Sequence, residues 1–351
     1  MNGGKKMKKL FVLFAAVALV AAFTLPAAAA DPAAWNFYGS SRMTTFYTNP
    51  NDDAGGIDNT VWDLQGNARI GANVKAGNIT GRFEYGSGPN LRILWGEYDF
   101  GGGQFGIGQN YTPIAVFDSN QVFASDEDLL SWGGMYMGRT PMAQYRTGGL
   151  KIALVKNSGA SDLGLGEGVK DVLPRLEASY NLPVGEGRII FMGGINTFKV
   201  APDLDIGNET VTGGMIGASG SFPVGPITLA GNLWIGRNVG TFGMYHQTAD
   251  DPTWSPERGL DDTDSWGGIL VANFKSTDML SFELGVGYTE SDNDTYLSKD
   301  DAISYYGNAV VTVAPGFFIV PEIGVQDGLD NTLGVSTGKL WYAGAKWQIN
   351  F

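Results

Sequence analysis

Side chains able to do bond-breaking chemistry are scarce in this sequence. There is one histidine, His246, and no cysteine. Disulfides, thiolate metal sites, a cysteine nucleophile and a lipid-bearing cysteine are therefore excluded together. His246 stands in a polar stretch beside Asp250 and Asp251, where a solvated loop histidine is the expected reading, since general acid–base catalysis needs a partnered and positioned imidazole. Gly101, Gly103 and Gly106 match a dinucleotide fingerprint in letters, but Ile107 to Tyr111 and a proline follow them instead of a helix, so they read as a hairpin turn and small wall positions. The acid clusters Asp250-Asp251, Asp261-Asp262-Asp264, Asp292-Asn293-Asp294 and Asp300-Asp301 offer hard oxygen ligands, yet none follows the twelve-residue calcium loop, and solvated loop charge is the simpler account. One further block stands out: Asp118, Asp126, Glu127 and Asp128 lie between Tyr111 and Gly138, with no basic residue before Arg139. Such a block can build a field; alone it cannot break a bond.

The elements that must position these charges are strands. Residues 1–30 read as a cleaved secretory signal: Lys5, Lys6, Lys8 and Lys9, an apolar run from Leu10 to Leu25, and a small-residue exit through Ala28-Ala29-Ala30. Removing the four lysines leaves 19 basic against 36 acidic residues, a formal charge of −17. Such a charge makes nucleic acid an improbable partner. Beyond residue 30 no apolar stretch approaches the roughly 20 residues of a membrane helix, so entry into a bilayer requires a closed sheet. Period-two alternation is the dominant pattern. It is clearest in Leu280-Ser281-Phe282-Glu283-Leu284-Gly285-Val286-Gly287-Tyr288-Thr289, and recurs at 175–182, 227–238 and 303–313.

On this basis sixteen strands are expected, near 35–47, 60–76, 78–86, 91–100, 103–110, 139–147, 150–157, 172–182, 187–199, 211–222, 226–238, 264–275, 279–290, 302–314, 316–326 and 338–351. The phase of 91–100 is ambiguous, because Arg92 and Glu97 do not share a face of a regular strand. Tight turns such as Ala76-Gly77, Gly148-Gly149 and Pro315-Gly316 alternate with long polar loops, as at the two ends of an outer-membrane barrel. A soluble sandwich would need a buried apolar core between its sheets. Here the polar face carries Arg69, Asn73, Lys75, Arg82, Glu177, Asn232, Glu283, Lys346 and Gln348, which suits a water-filled interior. Aromatics gather toward strand ends, with Trp35, Phe37, Tyr180, Phe222, Phe274, Phe317, Trp347 and Phe351 at one level and Trp266, Tyr288, Tyr305 and Trp341 at the other. That placement fits interfacial girdles.

At the C-terminus Trp341, Ala343, Ala345, Trp347, Ile349 and Phe351 share one face, and this segment resembles the terminal strand signature read by the assembly machinery of the outer membrane. With the signal and the alternating connections, the chain (residues 31–351) resembles a Gram-negative general porin, and in particular the homotrimeric outer-membrane porins of sulfate-reducing bacteria. The resemblance implies a transmembrane antiparallel β-barrel in outer-membrane lipid and lipopolysaccharide, no cofactor, and passive diffusion of small hydrophilic solutes and ions. It also implies that the loop near 111–138 folds inward to narrow the pore. Its acids Asp118, Asp126, Glu127 and Asp128 would then face a basic wall of Arg42, Arg69, Arg82 and Arg146. Two departures are visible: the Pro-Glu-Phe-Gly stretch common in this loop is missing, and the loop Ser87 to Asn90 is too short to latch over a neighbour. Given the −17 charge, a mild preference for cations at low salt is expected. A substrate-selective channel would show an aromatic track, and only Tyr306, Trp234 and Tyr342 read as scattered inward aromatics. A barrel enzyme would need a base and a nucleophile that His246 alone does not supply.

Overall fold

The computed structural model describes residues 33–51, 53–88, 90–157, 170–171, 173–200, 209–255 and 257–351, and the expected signal, residues 1–30, lies outside them. The sheet closes on itself as sixteen antiparallel strands. They are β1 (Ala34–Pro50), β2 in two halves (Asn59–Leu64 and Arg69–Ala76), β3 (Ile79–Gly86), β4 (Leu91–Asp99), β5 (Gln104–Tyr111), β6 (Arg139–Thr147), β7 (Leu150–Val155) and β8 (Lys170–Asp171, then Arg175–Val184). The second half of the chain adds β9 (Gly187–Val200), β10 (Glu209–Val224), β11 (Ile227–Arg237), β12 (Asp264–Lys275), β13 (Leu280–Asp292), β14 (Asp300–Ala314), β15 (Phe317–Asp327) and β16 (Lys339–Asn350). Closure comes from β1 pairing antiparallel with β16, Ser40 opposite Asn350 through Pro50 opposite Leu340. Among the described residues no strand of the barrel is left with an unpaired edge, which lets each satisfy its backbone inside a bilayer.

Alternation decides which side chain faces which solvent. On β13 Phe282, Leu284 and Val286 point outward and are exposed, while Glu283 between them is buried in the interior. The outer surface carries the aromatics of both expected girdles, among them Trp35, Phe37, Tyr180, Trp347 and Phe351 at one level and Trp266, Tyr305 and Trp341 at the other, all exposed to the surroundings of the barrel. Phe351 also completes the closure, exchanging backbone hydrogen bonds with Gly39 at 2.7 and 3.0 Å.

Two irregularities shape the interior. β2 breaks at Gln65–Ala68, where its upper half pairs with Met43–Thr48 and its lower half with Ala34–Ser40. On β4 the register slips, Glu84 opposing Ile93 but Tyr85 opposing Leu91, so that Arg92 is the extra residue of a β-bulge. The bulge resolves the phase ambiguity of this strand. Leu94 remains outward and exposed, while Arg92 on one side of it and Glu97 on the other both reach charged partners inside the barrel.

Candidate pore constriction

The segment between β5 and β6, residues 112–138, runs inward and is fastened along the wall by polar groups from strand after strand. The Ile114 N–H donates to Glu177 on β8 at 3.4 Å, and Asp118 accepts from Ser219 on β10 at 2.9 Å and Asn232 on β11 at 3.2 Å. Glu283 on β13 accepts from both the backbone and the side-chain amide of Asn120 at 2.7 Å. Glu322 on β15 accepts from the backbone N–H groups of Val122 and Phe123 at 2.7 and 2.9 Å. Gln121 donates to Tyr342 on β16 at 2.9 Å, and the returning limb is held by the Trp234 indole donating to Gly133 O at 2.9 Å. Beneath these bonds lies an apolar layer in which Phe46, Val122, Leu129, Trp132, Ile269 and Tyr306 pack together, with Phe123 stacked on Tyr342 at 3.9 Å. A loop buried against a polar wall must find partners for its backbone groups, and the inward carboxylates of the strands supply them.

The tip of this loop is held in a strained conformation. Ala124, Ser125, Asp126, Asp128 and Leu129 all have left-handed φ values between 50° and 68°. Each such residue costs about 1–2 kcal/mol and persists only where surrounding contacts over-determine it. Asp126 provides much of that restraint. It is ion-paired with Arg42 of β1 and, at 2.9 Å, with Lys346 of β16. It also accepts from Gln65 at 3.0 Å and Asn67 at 2.8 Å, both in the break of β2, while the Gly66 N–H donates to Ser125 Oγ at 3.2 Å. The break in β2 is thus where the tip docks.

The wall from β2 to β6 is left uncovered and is cationic. Glu84 on β3, its side chain 0% exposed, is surrounded by three guanidinium groups: Arg82 at 2.7 Å, Arg92 at 2.7 Å and Arg69 at 3.6 Å. Tyr38 donates a fourth contact at 2.8 Å. One carboxylate cannot neutralise three arginines, so the patch keeps a positive surplus. Arg139 extends it upward, donating to the Tyr111 hydroxyl at 3.2 Å and lying over the Tyr111 ring; no ion pair to it occurs among the described residues. Between loop and wall an open space of about 540 Å³ is lined by Arg42, Arg69, Tyr111, Phe117, Asp128 and Lys346 among others. Cations stand on the wall side of this opening and Asp118 and Asp128 on the loop side, the arrangement that sets up a transverse field.

A second segment, 238–262, folds in above the first. Val239, Phe242 and Met244 join Ile114, Val116, Met135, Met137 and Trp234 in one apolar cluster, and the buried Arg175 reaches Phe242 both through its carbonyl and over its ring. His246 is buried here, contrary to the solvated position expected for it. Its Nδ1 lies 3.2 Å from Thr289 Oγ1 and 3.9 Å from Asp250, and its ring meets Trp234 edge-on at 4.8 Å. Burial lowers the imidazole to about 3, while burial and the adjacent Asp251 push the Asp250 carboxyl up to about 8. Asp250 is therefore also no solvated loop charge. Of the outer acids, Asp261, Asp262 and Asp264 pair with Arg258 or Arg237, and no metal-binding group of histidine and carboxylates is found among the described residues.

Of the residues singled out in the sequence, Asp126 meets Arg42 directly and not across a gap, and Arg69 and Arg82 gather on Glu84 with Arg92. Asp118 is engaged by neutral wall groups. Glu127 accepts from the Ser131 N–H at 3.2 Å and closes a local turn, and Asp128 lines the opening. Arg146 does not join the basic wall. It makes a two-pronged pair with Glu97 at 2.9 and 2.5 Å near the Gly148–Gly149 turn, because its strand position faces the lower end of β4 and not the loop. The inward aromatics Trp234, Tyr306 and Tyr342 are at most 5% exposed and lie beneath the loop, so they line no track. Sequence reasoning does not single out Arg92, Arg139 or Lys346 as constriction cations; the Arg82-x-Glu84 spacing on one face marks where Arg92 gathers, whereas Lys346 meets Asp126 from the opposite side and Arg139 lies on Tyr111.

No family model matches this sequence, and no curated protein matches it. Solved structures do match. An anion-selective porin from Comamonas acidovorans shares 13% identity at a TM-score of 0.63, covering 91% of this chain and 100% of that one. OmpF of Salmonella typhi, in complex with daunomycin, matches with 13% identity and a TM-score of 0.63 over 90% of this chain and 97% of its own. OmpT, an outer membrane protein of Vibrio cholerae, matches with 14% identity and a TM-score of 0.61 over 91% and 98%. These likenesses establish the fold of the chain: a sixteen-strand β-barrel of the porin type.

Proposed function

We propose that the protein is an outer-membrane porin through which small hydrophilic solutes and ions diffuse passively. The observation that carries this reading is a closed barrel with a polar interior in which a fastened loop, with a second segment folded above it, leaves charged, water-accessible space beside an arginine-rich wall. The site selects by size and field, since nothing in it is arranged to bond covalently with a solute, and the buried His246 has no access to the lumen solute path. The constriction nearly balances its charge: Arg42, Arg69, Arg82, Arg92, Arg139 and Lys346 face Glu84, Asp118, Asp126, Glu127 and Asp128. A mild cation preference at low salt therefore has to come from the acidic outer loops, and it shrinks as the Debye length falls from about 30 Å at 0.01 M to about 3 Å at 1 M.

The narrower likeness to porins of sulfate-reducing bacteria rests on the layout of the sequence. The trimer rests on the same layout and on the trimer form in which OmpT of Vibrio cholerae occurs. Lipopolysaccharide is the lipid proposed around the acidic outer rim. Trp347, Ile349 and Phe351 are proposed as the signal read by the assembly machinery, so deleting Phe351 lowers the amount assembled without blocking export. Recording from planar bilayers in asymmetric salt tests the function: stable ohmic steps with a small cation-directed reversal potential are expected. A folded, inserted barrel with no conductance would overturn the reading.

A further inference from the structure

The mouth of the opening carries a feature that size and charge sieving does not need. Tyr111 at the end of β5, Phe117 and Tyr136 on the inward loop and Tyr245 on the second segment form one chain of rings. The centroids of Tyr111 and Phe117 are 5.2 Å apart, those of Phe117 and Tyr136 5.6 Å, and those of Tyr136 and Tyr245 5.0 Å. Tyr136, in the middle, is 6% exposed and serves as the base. Phe117 and Tyr245, at either side, are 43% and 52% exposed, and Phe117 lines the open lumen space. An exposed phenylalanine on a water-filled path keeps apolar area in water, which is unfavourable. Most other large apolar rings of the two inward segments, including Trp132 and Phe242, are buried against wall or loop.

The same lip is edged by guanidinium groups. Arg139 lies over the Tyr111 ring, Arg92 reaches the Tyr111 hydroxyl at 3.4 Å, and Arg69 and Arg82 follow below around Glu84. Guanidinium forks match carboxylates, and aromatic faces match aromatic rings. On the reading of this chain as a diffusion porin, we propose that the lip formed by Tyr111, Phe117, Tyr245 and Arg139 is a binding station for aromatic carboxylates. The solute ring rests on Phe117, flanked by Tyr245, and its carboxylate faces Arg139, with Arg69 below. Such a station raises the local concentration of these anions at the constriction of a pore whose outer mouth favours cations.

The full barrel in planar bilayers tests this with three probes: benzoate, cyclohexanecarboxylate, which keeps charge and bulk but has no ring face, and benzamide, which keeps the ring without the charge. Benzoate is expected to interrupt the current at about three- to tenfold lower concentration than either of the others, the range an aromatic contact supplies. Phe117→Leu keeps an apolar side chain in the loop and should bring benzoate and cyclohexanecarboxylate together. Arg139→Gln should weaken benzoate block while leaving benzamide where it was. Heat-modifiable gel mobility verifies folding of each variant. Equal block by benzoate and cyclohexanecarboxylate in the parent channel, or none by any probe, overturns the station while leaving the porin intact. A folded barrel that carries no current overturns the porin reading itself.

Discussion

The two halves of the lumen wall are built from the same alternating strands and put to opposite uses. From β10 round to β16 the inward carboxylates are fasteners: Glu283 and Glu322 accept backbone N–H groups of the loop and disappear beneath it. From β2 to β6 the inward carboxylate Glu84 is a counter-ion, outnumbered by three arginines, of which Arg92 is buried against it and Arg69 lines the open lumen. A buried loop backbone has donors that need acceptors, and a bare wall has cations that need only water and partial neutralisation. An inward glutamate therefore takes its role from what lies over it.

The largest effect is expected where the two halves meet, at Asp126. Asp126→Asn leaves Arg42 and Lys346, both largely buried, without their carboxylate, a change worth about 3 kcal/mol for a buried pair. The left-handed tip then loses its main restraint, and single-channel recording should show higher conductance with flickering between loop positions. A quiet channel of unchanged conductance would show that the tip is held by other contacts.

Next comes Glu322→Ala, which strands two buried N–H donors on the loop at a cost of about 2 kcal/mol. Hydrogen exchange at Val122 and Phe123 should accelerate by more than tenfold, and combining it with Asp126→Asn should add less than the sum, because both release the same segment. On the bare side, Glu84→Gln should leave loop exchange untouched and move the reversal potential toward anions, since it deletes a charge without freeing a backbone group. Asp128→Asn should move it in the same direction by less, because Asp128 stands on the loop side, away from the arginine patch. Neutralising Asp126, Glu127 and Asp128 together would confound docking with selectivity, as Asp126 is a fastener.

The smallest effect concerns the second inward segment and its pH dependence. Asp250 titrates near 8 when docked and in the ordinary carboxylate range when released, so its contribution to docking is present at low pH and erodes as pH rises toward 8. His246 titrates near 3 when docked and near 6.5 when released, so its contribution is present above about 6.5 and erodes as pH falls toward 3. Between about pH 4 and 6.5 the two slopes oppose and cancel. From 6.5 to 8 only Asp250 changes, and docking should weaken by roughly 1.4 kcal/mol per pH unit. Limited proteolysis of 238–262 across this window measures it: cleavage should rise with pH in the parent and stay level in Asp250→Asn.

Strand by strand, the barrel was legible in advance because a period-two pattern with one face for lipid and one for water leaves a closed sheet as its only solution. The one ambiguous strand was ambiguous for a real reason, since the bulge at Arg92 breaks the period by one residue. The site was legible only as far as side-chain phase reaches. Phase placed Arg42, Arg69 and Arg82 inward, and their matching contacts lie inside the barrel. It could not rank Arg146, equally inward, below Arg92 and Arg139, because height along the wall relative to a folded loop is not written in alternation.

Sequence alone determined the two faces, the girdles and the acidity of the loops, since each follows from local pattern or from composition, while closure of the sheet fixed the expected strands at sixteen. Tertiary structure decided which charges meet. Asp126 finds Lys346 across 220 positions of chain, Glu322 finds Val122 across 200, and His246 and Asp250 leave water only because a second segment folds over the first. Such pairings depend on closure of the barrel and the path of a loop through it. No local signal carries them, because the free energy that selects them comes from groups brought together only when the sheet is complete.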